Sequence, residues 1–181
     1  LLITCLLISN TIKDTIHSTT KEKAEVIGKA IAGSEVVQQS LAEDSDDRKI
    51  QDYTSKIQKT TDVSFIVVMD MNGIRKSHPN EKLIGKHFKG GDEWDVLHGK
   101  ASSSIAKGTL GLTMRAFTPI YADGKQVGAV SVGVPMQTVY EALADGNKKI
   151  MIGSVIGLIV GAIGAYLLSI YIKRILLGLE P

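Results

Sequence analysis

Cysteine is almost missing from this sequence: Cys5 is the only one among 181 residues, and it lies inside an apolar block at the start of the chain. The middle of the chain therefore has no disulfide framework and no thiolate metal site. Charge of one sign is also missing. The formal net charge is +2, and no basic cluster is interleaved with aromatics, which argues against nucleic acid as a partner. There is no Gly-rich phosphate loop, no nucleophile elbow and no paired-histidine spacing suited to a metal. His78, His87 and His98 are the only histidines beyond residue 17, and their spacing matches no standard zinc set. A membrane-anchored enzyme acting on carboxylates would need a nucleophile, an acid/base pair or a metal set, and none of these is present.

What the chain does have is an uninterrupted apolar run. From Ile150 to Ile172 the only polar side chains are Ser154, Tyr166, Ser169 and Tyr171, with no charge. About 20 such residues cross a bilayer core of roughly 30 Å; the alternative is a buried core helix. Lys148 and Lys149 precede the run and Lys173 and Arg174 follow it, so local charge does not orient it. Leu1 to Ile8 is apolar but too short to span. It reads as the end of a first transmembrane helix that begins before residue 1, with a trimmed signal peptide as the alternative. Two spans would place the intervening chain on one side of the membrane, which is a receptor topology. Gly153, Gly157, Gly161 and Ala165 recur every four residues and predict a helix-packing face.

Between the apolar blocks, residues 10–41 predict one long helix, with Ile12, Ile16, Ala24, Ile27 and Ile31 near helical spacing. Asp44, Ser45, Asp46 and Asp47 form a polar break that caps a second helix running to Thr60. Ser64 to Met69 is dense in β-branched and aromatic residues and predicts a central strand. It closes on Asp70-Met71-Asn72-Gly73, a turn signal. Asp92 to Leu97 is a short helical candidate. Strands are expected at Ala101–Ala106, Leu112–Tyr121 and Gln126–Val134, the last two joined by an Asp123-Gly124 hairpin. A long leading helix and a closing antiparallel meander indicate an α+β domain. From Met136 to Asn147 the chain turns helical again and enters the apolar run. The expected organisation is 1–9 as the end of a first transmembrane helix, 10–147 as an extracytoplasmic sensor domain, 148–174 as a second transmembrane helix and 175–181 as the start of a cytoplasmic linker.

Candidate chemistry concentrates in two segments. Arg75 and His78 follow the turn after the first strand, where a guanidinium can hold a carboxylate through two parallel hydrogen bonds and an imidazole adds a third donor. A solvated surface strand with ordinary charges is equally compatible with that spacing. In the second segment, Gly108 and Gly111 flank a loop ahead of a strand carrying Arg115. If Arg115 points inward it needs an anionic partner, and if outward it is an ordinary edge-strand arginine. Ser131 is a lone hydroxyl on an apolar strand that either meets a ligand or bonds nearby backbone.

Three stretches, FIVVMDMNGIRKSHPNEKLIGK, GTLGLTMRAFTPIY and GKQVGAVSVGV, occur in the order and nearly the spacing of a known family. The sequence resembles the extracytoplasmic PAS-like (PDC) domains of bacterial citrate and C4-dicarboxylate sensor histidine kinases of the CitA/DcuS type. The likeness covers almost the whole chain. It implies a PAS-like antiparallel sheet, and it assigns ligand carboxylates to Arg75, His78 and Arg115, with Thr109 and Leu110 in the glycine loop and Ser131 on the last strand. Citrate sensors of the family commonly carry a lysine two residues after their strand arginine, where this chain has Phe117; Phe88 matches an aromatic of the C4-dicarboxylate branch. Losing a cation and gaining apolar wall favours two carboxylates over three, so malate, fumarate or succinate is expected ahead of citrate. Plain core packing is the other reading of both phenylalanines. The resemblance further implies a homodimer, a full-length ATP:protein-histidine phosphotransferase and a cognate response regulator reached through cytoplasmic domains, with no catalytic motif and no cofactor in these residues. A chemoreceptor sensor domain would share fold and topology but would need a HAMP segment directly after the span. The Gly178-Leu179-Glu180-Pro181 ending resembles the sensor-kinase linker instead.

Overall fold

The structure, a computed structural model, describes residues 2–43, 47–108 and 111–178. The chain divides into two compact units, Leu1–Thr138 and Val139–Pro181.

In the first unit, α1 (Leu2–Ala32) is followed by α2 (Glu35–Ala42) and α3 (Asp47–Thr61), and then by the strands β1 (Phe65–Asp70), β2 (Ser102–Gly108), β3 (Gly111–Ala122) and β4 (Lys125–Pro135), with a one-turn helix α4 (Trp94–Leu97) ahead of β2. The long helix predicted to reach Leu41 is broken. Ser34 takes an extended conformation at the start of α2; Gly33 N still donates to Lys29 O at 2.9 Å, and Ser34 N closes the end of α1 on Ile31 O at 3.1 Å. Gln38 Nε2 donates to the carbonyl of Ala32 at 2.8 Å and so satisfies one acceptor that the break exposes. The break turns Val37 of α2 into the same core as Ile31 of α1. The part of the polar break at 44–46 lies outside the described residues.

The sheet is antiparallel with order β1-β4-β3-β2, so β2, β3 and β4 form the expected meander. Asp123 (φ 50) and Gly124 (φ 77) make the β3–β4 turn, both in the left-handed region that a two-residue hairpin turn requires. The strand predicted as central, β1, is at the sheet edge. Its residues Phe65 to Met69 are nonetheless all buried, because the chain after the turn doubles back along the free edge. Lys76 N donates to Val68 O at 2.8 Å, and Val68 N donates to Ser77 Oγ at 2.9 Å. An edge covered in this way reads in sequence like an interior strand.

Alternation along the strands sends successive side chains to opposite faces. Ile66, Val68, Ala116, Ile120, Val130, Val132 and Val134 meet Ala24, Ile31, Val37 and Ile50 of the three helices on one face. Phe65, Val67, Met69, Phe117 and Ala129 form the other face, with Phe88 and Val96 from the connection between β1 and β2.

The helix α5 (Gln137–Leu177), most of which forms the second unit, contains Lys148–Ile175, a stretch long and apolar enough to cross a membrane, with its described apolar side chains exposed.

Candidate functional site

The site begins with the turn after β1. Asp70 Oδ1 accepts the backbone N–H groups of Asn72 and Ile74, each at 2.9 Å, and Gly73 adopts φ +73 to reverse the chain. The returning segment is held on both sides. Met69 bridges to Arg75 on the β1 side; on the other, Arg75 N donates to Lys86 O at 3.1 Å and Phe88 N to Gly73 O at 2.8 Å. Farther along, Gln51 of α3 clamps the backbone of His78, accepting its N–H at 2.9 Å and donating to its carbonyl at 3.1 Å. Arg75 and His78 thus sit on backbone fixed by β1 and α3 together.

Arg115 comes from the opposite side, on β3, paired in register with Gly133 of β4 and Ser104 of β2. Its guanidinium carbon is 5.9 Å from the centre of the Phe65 ring, and that of Arg75 is 5.4 Å from the centre of Phe88. A cation over an aromatic face is stabilised by the ring quadrupole. Gly133 is what lets the Phe65 ring lie there, because a Cβ at that position would collide with the ring.

Both guanidinium groups line one cavity of about 500 Å³, within the range of roughly 300–1,000 Å³ usual for small-molecule sites. His78 and Phe88 line it as well, over a floor of Phe65 and Val67. Arg75 is 8% exposed and Arg115 9%, and the Nε atom of each is buried with no hydrogen-bond partner among the described residues. A buried donor left unsatisfied costs about 1–3 kcal/mol. Burial lowers the pKa of Arg75, opposed by the charge of Glu93, although a guanidinium remains a cation at physiological pH. Burial first, and the Arg75 charge second, hold His78 below the ordinary histidine value. Its Nδ1 accepts the Asn80 N–H at 2.9 Å, so in the neutral ring Nε2 carries the proton. The cavity therefore offers two fixed cations and a histidine donor to an anion, beside apolar wall.

Of the residues singled out from sequence, Arg75, His78, Phe88 and Arg115 are brought together. Phe117 is 1% exposed and stands behind Phe88, edge to face at 5.9 Å between ring centres, and it does not line the cavity. Ser131 is fully buried opposite Val67 and Phe117 in register, its Oγ without a hydrogen-bond partner among the described residues, and it too is off the cavity surface. Thr109 and Leu110 lie outside the described residues, although Lys107 and Gly111 on either side of them line the cavity. His98 stacks on Trp94 at 4.1 Å, and among the described residues no group of His, Cys, Asp and Glu is arranged to hold a metal.

Sequence reasoning missed two sets of residues. Lys86, Lys89 and Lys107 bring exposed cations to the cavity rim. Asp92 reaches Arg115, with Oδ1 and Oδ2 at 3.3 and 3.4 Å from the same Nη1. The Gly90-Gly91 pair ahead of Asp92 was the available signal. Gly90 lies where a Cβ would collide with both Phe88 and Asp92, and Gly91 turns the chain at φ +74.

Comparison with known proteins identifies this architecture. Residues 11–146 match the family model described as single cache domain 3, and the chain belongs to that family. It is similar to the sensor histidine kinase DcuS of Escherichia coli strain K12, at 35% identity over 182 residues, covering 100% of this chain and 34% of DcuS. It is also 31% identical to a probable C4-dicarboxylate sensor kinase of Bacillus subtilis strain 168, covering 97% of this chain and 33% of that protein. The crystal structure of the E. coli DcuS sensor domain superposes with a TM-score of 0.65 at 34% identity, over 69% of this chain and 95% of that one. The chain thus spans about a third of the length of these relatives. The resemblance to sensor histidine kinases and the α+β fold with an antiparallel sheet are both borne out.

Proposed function

We propose that this chain is the sensor portion of a two-component sensor histidine kinase that binds a C4-dicarboxylate outside the cytoplasm and carries the signal across the membrane. The observation behind this reading is the pair of arginines. Arg75 and Arg115 are each more than nine-tenths buried, each has an orphaned Nε, and both line the same cavity. Buried cations are stable only when paired, and a ligand with a carboxylate at each end supplies one partner to each guanidinium. His78 adds a donor, while Phe88, backed by Phe117, gives apolar wall to the carbon skeleton of malate, fumarate or succinate. The B. subtilis relative carries the same ligand class in its name. The family motifs assign Thr109 and Leu110 to the same site, and also Ser131, which lies off the cavity surface.

Citrate is the second reading. Lys86, Lys89 and Lys107 at the rim supply the extra positive charge that Phe117 takes away from β3. On either reading Lys148–Ile175 is a transmembrane helix, the apolar start of α1 is the end of another, and the protein is a multi-pass, homodimeric membrane receptor whose cytoplasmic domains address a response regulator. A ligand that draws Arg75 and Arg115 together favours a closed form of the domain, and α5 follows directly on β4 to carry that bias inward.

Calorimetric titration of the chain in lipid nanodiscs with malate, fumarate, succinate and citrate tests the proposal. Dicarboxylate binding that falls at least about 30-fold in Arg115→Ala is the expected result, since truncating one partner of a buried charge pair costs about 2–5 kcal/mol. No heat with any carboxylate, or equal binding by wild type and variant, overturns it.

A further inference from the structure

We propose that Asp92 is a specificity-determining counter-charge: a half-buried carboxylate, off the surface of the arginine-lined cavity, that shares Arg115 with the ligand and penalises ligands carrying a third negative charge. The inference rests on the carboxylate-binding reading above and assigns a role to a residue that touches the binding arginine without lining the cavity.

The contact is of an unusual kind. Arginine and carboxylate normally meet as two parallel hydrogen bonds, one from each of two nitrogens. Here both oxygens of Asp92 lie on one nitrogen, at 3.3 and 3.4 Å, and Arg115 Nε is left without a partner among the described residues. Asp92 therefore sets a negative charge against the arginine while using only a small part of its donor capacity. The fork keeps donors for a ligand carboxylate; the electrostatic attraction reaching that ligand is reduced.

The placement is specified by the surrounding structure. Ser104 of β2, the register partner of Arg115, donates its hydroxyl to Asp92 Oδ2. Gly90 leaves the space in which Phe88, Asp92 and Arg115 converge, and a Cβ there would stand 3.1 Å from Arg115 Nη1. The adjacent carboxylate, Glu93, acts on the other binding arginine: its charge opposes the effect of burial on Arg75, and its Oε2 is itself buried without a hydrogen-bond partner among the described residues. Consecutive residues of one segment thus place a carboxylate against Arg115 and a second negative charge that acts on Arg75.

A fixed negative charge beside the site repels every charge on the ligand, so its effect grows with ligand valence. A dianion that places one carboxylate on each guanidinium tolerates it. A trianion of the same skeleton brings an extra charge into the same field, and the discrimination arises from repulsion as much as from fit.

Succinate and tricarballylate, which differ by one carboxymethyl group, are the probes. In calorimetric titrations of the full chain in nanodiscs, Asp92→Asn should shift the affinity ratio toward tricarballylate by about tenfold or more. Asp92→Glu should stay near the wild-type ratio, and Ser104→Ala, which loosens Asp92 but keeps its charge, should shift the ratio by less than about threefold. An Asp92→Asn variant that weakens both ligands equally, or leaves the ratio unchanged, overturns the proposal, since a structural brace would behave in that way. Should Asp92→Asn fail to fold, Asp92→Ser also removes the charge while leaving a hydroxyl for Ser104, and the same ratio decides. Wild type that binds neither probe sinks the carboxylate reading itself; wild type that binds, with an unshifted ratio in the uncharged variants, sinks only the role of Asp92.

Discussion

The two faces of the sheet are built from the same four strands and handle buried polarity in opposite ways. Against α1, α2 and α3 the strands present aliphatic side chains, and the polar group that α3 buries there, the Thr54 hydroxyl, bonds to Ile50 O at 2.9 Å. On the other face, Arg75, Arg115, Glu93 and Ser131 each keep a buried polar atom without a partner among the described residues. Native proteins rarely leave such groups unpaired, and four of them clustered on one side mark the place where stability is given up for recognition. The helix-covered face carries the fold. The cavity face is held in place by it, through the β1 turn and the Gln51 clamp on His78.

The sharpest test of this division is Arg75→Leu. Replacing a buried, incompletely paired cation by an apolar side chain removes the desolvation cost and is neutral or stabilising, whereas the ligand loses a buried partner. The ligand-free domain should unfold at the same or a higher denaturant concentration, and dicarboxylate affinity should fall about 100-fold, corresponding to roughly 3 kcal/mol. Loss of both stability and affinity would break the comparison. The converse substitution is Ile31→Ala, in the middle of the helix-covered core. It should lower unfolding free energy by about 2–5 kcal/mol through lost burial and a cavity, with ligand affinity of the folded fraction within about threefold.

A smaller effect separates the faces by pH. His78 titrates below the ordinary value of 6.5 because burial, and then the Arg75 charge, disfavour its cation. The unfolded chain therefore takes up this proton first. Its contribution to stability is full above pH 6.5 and is lost as pH falls through and below that value. Chemical denaturation of the ligand-free protein between pH 7.5 and 5.5 should show a steeper decline for wild type than for His78→Gln. A bound dianion favours the imidazolium, so ligand affinity should rise as pH falls over the same range in wild type and not in the variant.

Much of this was legible in the sequence because it is local. The β-branched run at Ser64 to Met69, the Asn72-Gly73 and Asp123-Gly124 turns and the apolar stretch from Ile150 to Ile172 each specify backbone or environment through neighbouring residues alone. The break after Ala32 was not legible, because Ser34 and Gly33 are tolerated in helices and only the core shared by Ile31 and Val37 makes turning there favourable. The edge position of β1 was hidden for a related reason. A strand covered by its own return segment is as apolar as an interior one.

The site divides in the same way. Arg75, His78 and Arg115 were identifiable as residue types in recurring motifs, and their sequence positions alone left open whether they face inward. Burial decided it, since strand register puts Arg115 on the face of Phe65, Val67 and Phe117. Phe117 was legible as an aromatic but not as the support behind Phe88, which depends on the packing angle between two rings. The sequence by itself determined an α+β domain, an apolar helix able to cross a membrane and two arginines placed after turn and glycine-loop signals. Only the tertiary structure decided that both arginines line one cavity, that three lysines rim it, and that Asp92 and Glu93 bring their charges to bear on the arginines first. Charge and hydropathy are properties of a residue, whereas the meeting of a carboxylate with a guanidinium 23 positions later depends on two glycines and a strand register that no local pattern encodes.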